Sequence, residues 1–375
     1  MADAFGVSFD ADPQLLARLL GTVVDGGMLA WAADRDTVAA VAAIDLFIEH
    51  LVPIARPATG TIIMRTIGRS PAMSEAPARV TVIGESLVDL IWRPGAEHVV
   101  PVPGGSPANV AVGLHRLGRA ATLVTVWGDD PPGELVRAHL EATGVDVRRV
   151  AGDAGRTTLA LAYLDEAGSA TYDFLTAWDP RELPVPEDTA VLHTGSLATV
   201  VEPGASRVLK LCRELHGTPG LTVVTDLNVR PAVQPDREAY REACLRLAAV
   251  ADVVKASDDD LGWLFPDLKP AEAARVLLAA GPRLVVVTLG AEGALAVSAA
   301  EEVRVPAPRT EVADTIGAGD TFQAALLDAI AAHGVPHDPA ELAAVLTRCT
   351  TAAAINCTRV GADPPTLAEL TAALA

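Results

Sequence analysis

The glycines and the aspartate of residues 314–322, which read DTIGAGDTF, are the residue types best suited to chemistry in this sequence. Apolar residues at helical spacing follow them, so the sequence predicts a helix that begins at this turn. The backbone N–H groups of Gly317, Ala318 and Gly319 then lie at the positive end of the helix dipole, where anions bind. Asp320, in the first turn, is placed to take a proton from an attacking hydroxyl. This layout is typical of a phosphotransferase.

A second glycine-rich run covers residues 103–114 and reads PGGSPANVAVGL. Gly104 and Gly105 let a loop fold closely over a small polar ligand, and the amide of Asn109 offers both donors and acceptors to hydroxyl groups. The alternative is a helix cap followed by a polar residue on an exposed face.

These two runs resemble the C-terminal and N-terminal signatures of the ribokinase-like sugar kinases, the PfkB family. The resemblance begins near Arg79 and continues toward the end of the chain. It implies an α/β fold, a three-layer sandwich with a mostly parallel central sheet and a small β lid. It also implies ATP and Mg²⁺ as cofactors, with a sugar and ATP as the small-molecule partners.

The elements around these runs agree with the resemblance. Residues 79–85 form an apolar strand pattern, and Asp89 follows it at the edge where open α/β sheets bind ligands. The resemblance makes Asp89, with Gly104, Gly105 and Asn109, the group that holds the sugar. A turn or capping role is the alternative for Asp89.

Residues 221–231 read as a strand that ends in a D-x-N-x-R-P run, which is similar to the fructokinase branch of the family. Arg230 suits a phosphate or sugar oxygen, although an arginine near an aspartate is equally suited to a structural ion pair. The resemblance assigns Asn228 to the nucleotide side.

Residues 251–261 fall where the family has an N-x-x-E motif that holds magnesium through water. Ser257 replaces the Asn and Asp260 replaces the Glu. Since Mg²⁺ needs only one or two carboxylates, Asp258 and Asp260 are the expected metal residues, and Lys255 is expected to offset phosphate charge. Acidic residues that only stabilise a helix start are the alternative.

The nucleotide contacts are implied by the resemblance alone. They comprise Thr288, Gly290 and Gly293, which a plain hairpin turn would also explain. Gly317, Gly319 and Asn356 complete this set. Asp314 is expected either to bind a monovalent cation, K⁺, or to be a structural residue.

Composition excludes several other classes. The chain has no G-x-x-x-x-G-K-[ST] run, so it is not a P-loop ATPase, and no G-x-G-x-x-G follows its first β-strand pattern. A net charge of -19 in 375 residues discourages binding to nucleic acid or to an anionic membrane. The four cysteines lack metal or disulfide spacing, and no basic signal segment begins the chain, so we expect a cytoplasmic enzyme.

Two domains are expected from these patterns. Residues 1–76 form an extension with two helical patterns and no recognisable site, either read from an upstream start codon or folded as a regulatory domain. Residues 77–375 form the kinase domain, with lid segments near 91–102 and 157–175. A homodimer formed through the lid is a further hypothesis.

The expected reaction is the ATP-dependent phosphorylation of D-fructose to fructose 6-phosphate, because the runs at residues 104–109, 193–197 and 226–231 look like the fructokinase branch. Ribose, 2-keto-3-deoxygluconate and an adenosine-like nucleoside are alternative substrates that would use the same motifs. A non-catalytic sugar- or nucleotide-sensing protein is the alternative of a different class.

Overall fold

The secondary structure is taken from a computed structural model that describes residues 7–9, 55–57, 78–165 and 170–375. The strands, in chain order, are β1 (Val7–Phe9), β2 (Ala55–Pro57), β3 (Arg79–Ile83), β4 (Leu87–Trp92), β5 (Val100–Gly104), β6 (Ala121–Thr125), β7 (Asp146–Arg149), β8 (Thr158–Leu164), β9 (Ala170–Leu175), β10 (Thr189–Gly195), β11 (Thr222–Asp226), β12 (Val253–Ser257), β13 (Leu284–Thr288), β14 (Ala294–Ser298) and β15 (Glu302–Val305). The helices are α1 (Ser106–Arg116), α2 (Pro131–Thr143), α3 (Gly204–Leu215), α4 (Arg237–Ala248), α5 (Asp258–Leu264), α6 (Pro270–Leu278), α7 (Ala318–His333), α8 (Pro339–Cys357) and α9 (Leu367–Leu374). Short 3₁₀ turns lie at Ser196–Thr199 and Gly290–Glu292.

The central sheet contains nine of the described strands, in the order β15-β14-β13-β12-β11-β10-β3-β6-β7. The strands from β7 across to β13 pair in parallel, and β14 and β15 continue the sheet in the antiparallel direction. Parallel strands of this kind are covered on both faces, which explains why their sequences are continuous apolar runs. The carboxyl ends of β3, β10, β11 and β12 therefore meet at one edge.

Two apolar cores lie on opposite faces of this sheet. Neighbouring residues of β11 show the division, since Val224 belongs to the core with α1, α7 and α8, and Val223 belongs to the core with α3, α4 and α6. Helix α7 is apolar around most of its circumference because α1 and α8 both pack against it. The expected three-layer α/β sandwich is confirmed.

A separate four-stranded sheet has the order β5-β4-β8-β9. Strands β8 and β9 pair antiparallel, as the sequence predicts for residues 157–175, while the turn residues 166–169 lie outside the described residues. The first segment differs from the expected 91–102, because β4 already begins at Leu87. Asp89 therefore lies within a strand of the small sheet and not in a loop beyond the central sheet.

The chain divides into two compact units, Met1–Ser74 and Glu75–Ala375. In the first unit, β1 and β2 pair antiparallel, and the two helices expected in residues 1–76 lie outside the described residues. No helix in the described part of the chain is long and apolar enough to cross a membrane.

Candidate active site

The amino end of α7 is built around Gly317, which caps the helix in the left-handed conformation with φ of 74°. A Cβ at Gly317 would lie 2.5 Å from the side chain of Ala362, so only glycine fits this turn. The N–H of Ala318 is donated to Thr315 O at 3.2 Å. Within the described residues, no acceptor is recorded for the N–H groups of Gly317, Gly319 and Asp320. Of the three groups expected to bind an anion, Ala318 is thus already engaged, and the N–H of Asp320 joins the set.

Two side chains from the amino-terminal part of the kinase domain hydrogen-bond to Asp320. Ser106 donates its Oγ–H to Oδ1 at 2.6 Å, and Asn109 donates from Nδ2 to Oδ2 at 2.8 Å. Both donors lie in the first turn of α1, whose N-cap is Gly105 with φ of 109°. The two glycine-rich runs predicted from the sequence therefore form a single site, and the carboxylate at its centre remains partly exposed.

Asp89 faces this site from β4. Gly104 lies near it on the neighbouring strand β5, and a Cβ at Gly104 would come within 2.8 Å of Asp89 Oδ2. Burial raises the pKa of Asp89 to about 6, the positive charge of Arg230 opposes this rise, and the charge of Asp320 adds to it. Asp89, Arg230 and Asp320 therefore share one electrostatic environment.

Arg230 is fixed through its backbone and its own guanidinium. Its N–H is donated to the hydroxyl of Tyr240 at 3.0 Å, and Nη1 donates to Val229 O at 3.0 Å. In the described part of the chain no salt bridge includes Arg230, so the structural ion pair offered as an alternative is not observed. Its charge is left to act on groups at the site.

A buried ion pair lies beneath the amino end of α7. Lys255 of β12 donates to Asp226 Oδ2 of β11 at 2.7 Å, and both side chains are at most 4% exposed. The Nζ atom of Lys255 lies 3.8 Å from where a Cβ at Gly319 would sit. Because an ammonium beside helix N–H groups adds positive potential, Lys255 strengthens the anion-attracting character of this end of α7.

Asp226 retains an oxygen that accepts nothing in the described structure. Its Oδ1 and the Nδ2 of Asn228 are both buried without a hydrogen-bond partner among those residues. Burial raises the pKa of Asp226 to about 6, Lys255 opposes this, and the charges of Asp260 and Asp320 add to it. A buried acceptor without a partner is costly, and a group with donors, such as metal-bound water, would satisfy it.

The two residues expected to bind magnesium, Asp260 and Asp258, have different surroundings. Asp260 forms a capping box with Ser257, and its two oxygens accept the N–H groups of Val229 at 2.7 Å and Ser257 at 2.8 Å. This is the helix-start role offered as the alternative. Asp258 remains half-buried, and burial together with the neighbouring Asp259 raises its pKa. Asp226 Oδ1 and the Asp258 carboxylate are oxygen donors of the kind that Mg²⁺ prefers, whereas both oxygens of Asp260 are already engaged.

The turn after β13 is both a hairpin and a constrained loop. Thr288 ends β13, Gly290 begins the 3₁₀ turn, and Gly293 has φ of 103°. A Cβ at Gly293 would lie 2.0 Å from Val305 O, so this glycine is required by the close approach of β15. Thr288 and Gly290 remain open to a ligand, whereas Gly293 shapes the turn.

Asn356, which the resemblance assigns to the nucleotide, is engaged with other residues of the chain. Its side chain is fully buried, Nδ2 donates to Ile316 O at 2.8 Å, and Oδ1 accepts from the Thr321 hydroxyl at 3.3 Å. Both ends of the amide are thus used to hold the turn that precedes α7. Asn356 therefore supports the turn that precedes α7.

Asp314 joins two loops at the outer side of this turn. Its Oδ1 accepts the N–H of Ile316 at 3.0 Å, and its Oδ2 accepts the N–H of Gly361 at 2.8 Å. The structural role is therefore observed.

Sequence reasoning did not single out three residues that the structure places in the site. Ser106, directly after the paired glycines, donates a hydrogen bond to Asp320, as Asn109 also does. Asp226 bonds Lys255, and Glu85 is a buried carboxylate at the end of β3. The only signal for Asp226 and Glu85 was an acidic residue at the carboxyl end of an apolar strand, where polar residues usually face a ligand.

Comparison with known proteins gives the family of this chain. Residues 77–369 match the pfkB family carbohydrate kinase model. The chain is 34% identical over 292 residues to a fructokinase from Klebsiella pneumoniae, a match that covers 76% of this chain and 94% of the relative.

Two solved structures have the same fold. A double mutant of fructokinase from Vibrio cholerae O395, in a fructose-, ADP- and potassium-bound form, matches with a TM-score of 0.69 and 28% identity over 81% of this chain and all of the other. Aminoimidazole riboside kinase from Salmonella enterica, complexed with aminoimidazole riboside and an ATP analog, matches with a TM-score of 0.67 and 28% identity over 79% of this chain and all of the other. With its two signature runs joined at Asp320, this chain belongs to the pfkB family of carbohydrate kinases.

Proposed function

We propose that this kinase transfers the γ-phosphoryl group of ATP to the primary O6 hydroxyl of D-fructose, giving fructose 6-phosphate and ADP. The observation that carries the proposal is the position of Asp320, in the first turn of α7 with N–H groups that have no recorded acceptor among the described residues. The match to fructokinases over most of the kinase domain supports fructose as the acceptor.

In this mechanism Asp320 is the general base. Ser106 and Asn109 orient its carboxylate, which accepts the O6 proton as the oxygen attacks the γ-phosphorus and the bond to the ADP oxygen breaks. The N–H groups of Gly317, Gly319 and Asp320 stabilise the charge on the phosphoryl oxygens, with Lys255 beneath them.

The sugar is held on the side of the small sheet. Asp89 accepts hydrogen bonds from sugar hydroxyls, and the absence of a side chain at Gly104 and Gly105 gives the sugar its room. Arg230 donates to a sugar oxygen, and Asn109 contacts both the sugar and Asp320. The small sheet acts as a lid that keeps water from accepting the phosphoryl group.

The nucleotide lies along the opposite side of the α7 turn. Asn228, Thr288 and Gly290 contact its phosphates or ribose, while Gly293 and Asn356 position the loops that do so. Asp226 and Asp258 would hold Mg²⁺, which would neutralise charge on the phosphates. K⁺ binds beside Asp314.

A second candidate substrate is a ribose-bearing nucleoside, because the chain matches aminoimidazole riboside kinase almost as well as it matches fructokinase. Ribose and 2-keto-3-deoxygluconate are further acceptors for the same base. In the latter case Arg230 would face the carboxylate. A sugar-sensing protein without catalysis would have no use for Asp320 and its two donors.

We also propose that a second copy of the chain packs on the small sheet. Apolar side chains of that sheet are exposed, among them Trp92, Val100 and Leu175. Exposed apolar side chains of this kind are a common feature of interaction surfaces. Light scattering that gives the mass of a monomer would contradict this homodimer.

The decisive experiment measures ADP release by the purified chain with ATP and Mg²⁺ over a panel of acceptors. The panel comprises fructose, ribose, glucose, adenosine, aminoimidazole riboside, 2-keto-3-deoxygluconate and the fructose phosphates. We expect the highest kcat/KM for fructose. A higher value for another acceptor would move the substrate and keep the mechanism, and no turnover with any acceptor would favour sensing.

A further inference from the structure

Glu85 is a buried carboxylate between the walls of the sugar site, and the mechanism above does not use it. It follows β3 and is 2% exposed. Its carbonyl oxygen lies 2.7 Å from where a Cβ at Gly105 would sit. The backbone of Glu85 therefore packs directly against the loop that starts α1 and carries Ser106 and Asn109.

The side chain of Glu85 holds the opposite wall. Its Oε2 accepts the N–H of Ala198 at 3.2 Å. Ser196 has φ of 54°, which is unfavourable for a residue with a side chain. The Ser196–Thr199 turn is therefore a strained segment that Glu85 stabilises from the end of β3.

The Ser196–Thr199 turn packs against the small sheet. Leu197 packs with Leu87 of β4 and Ala160 of β8 in a small apolar core, and Val233 packs against the same core. Val233 donates its N–H to Arg230 O at 2.9 Å. A shift of the Ser196–Thr199 turn would thus be transmitted to β4, which carries Asp89, and to the loop that carries Arg230.

Charge links Glu85, Asp89 and Arg230. The guanidinium of Arg230 acts on both Glu85 and Asp89. Burial raises the pKa of Glu85 to about 7, and its hydrogen bonds and Arg230 oppose that rise. The guanidinium of Arg230 therefore interacts electrostatically with two carboxylates, Asp89 in the sugar site and Glu85 behind it.

We propose that Glu85 is a positioning residue for the sugar site, which holds the Ser196–Thr199 turn and Arg230 in place relative to Asp89. The inference rests on the proposed function, since it takes Asp89 and Arg230 as sugar-binding residues. Its consequence is selective: sugar affinity depends on Glu85, whereas the Asp320 base and the nucleotide site lie on other elements.

The test compares Glu85→Gln and Glu85→Asp with the wild type. Fructose binding is measured by calorimetry, and kcat and both KM values are measured with fructose and ATP. At about pH 8, where the Glu85 carboxyl is mostly ionised, we expect Glu85→Gln to weaken the Kd and KM for fructose roughly tenfold, because the charge that acts on Arg230 is removed. The KM for ATP and kcat at saturating fructose should change by no more than about threefold. Glu85→Asp, which keeps the charge, should recover part of the fructose affinity.

Asp328→Asn is the matched control. Asp328 is also a buried acid, but it lies in α7 and pairs with Arg119 and Arg348. Its replacement should lower Tm without a selective loss of fructose affinity.

The inference is overturned if Glu85→Gln binds fructose like the wild type, or if fructose and ATP affinities fall equally. If Glu85→Gln fails to fold, the same two outcomes are judged from Glu85→Asp. A wild type that binds and phosphorylates no acceptor overturns the proposed function as well, whereas an active wild type with unaffected variants overturns only the role of Glu85.

Discussion

Asn109 and Asp320 lie 211 residues apart in the chain and are joined by a hydrogen bond of 2.8 Å between Nδ2 and Oδ2. The bond connects the first turns of two helices, α1 and α7, which pack against each other on one face of the central sheet. Because Ser106 donates to the other oxygen, the orientation of the carboxylate is fixed before a substrate arrives.

Replacing Asp320 by Asn should remove the base and preserve the shape of the site. We expect kcat to fall roughly a hundred- to ten-thousand-fold, the usual contribution of a general base. Fructose binding, measured by calorimetry, should change little. A variant with near-normal kcat would contradict the assignment of Asp320.

Fructose affinity should depend on pH through Asp89. Its pKa of about 6 lies above the ordinary value, so the carboxylate becomes protonated as pH falls through 6 and loses its strongest acceptor form. The KM for fructose should therefore rise between pH 7 and pH 5, and the KM for ATP should change less. Asp89→Asn should bind fructose weakly at every pH, and a flat fructose KM in the wild type would exclude this role.

Stability should also respond to pH through Glu85. The folded state raises the pKa of Glu85 from 4.5 to about 7, so the folded state holds its proton more tightly than the unfolded chain does. The resulting contribution to stability is complete below pH 4.5 and is lost as pH rises through 7. Denaturant unfolding of Glu85→Gln should therefore show a shallower fall in unfolding free energy over this interval. Equal slopes for the variant and the wild type would contradict the raised pKa.

Variants of the Lys255–Asp226 pair should affect stability and catalysis separately. Lys255→Met leaves Asp226 buried without its partner, and we expect a destabilisation of about 3–5 kcal/mol. Adding Asp226→Asn should restore much of the stability, because the unpaired charge is removed, but should not restore kcat. Thermal unfolding and steady-state kinetics of the three variants would test this. Recovery of kcat in the double variant would show that catalysis requires neither Lys255 at the phosphates nor Asp226 at the metal.

Residues 1–76 should be dispensable for catalysis, since the family match begins at residue 77. A chain that begins at Met73 should keep the kcat/KM for fructose and the Tm of the kinase domain. A large loss of either would indicate that the segment contributes to folding or regulation.

The sequence alone determined the family and the fold class, and it singled out Asp320 as the candidate catalytic residue. Its glycine-rich runs are local patterns, and local patterns specify which residues begin a helix and expose N–H groups. The strands β3, β11 and β13 were likewise readable as short apolar runs bounded by polar residues.

The tertiary structure decided which polar side-chain atoms of the described residues have hydrogen-bond partners. Asp260 and Asn356 matched motif positions, but each has both side-chain polar atoms engaged with neighbouring elements, and no local pattern contains those partners. Conversely, Glu85 and Asp226 stand out only once folding buries them beside Arg230 and Lys255. Burial and pairing depend on residues far apart in the chain, so they emerge only when the sheet brings its strand ends together.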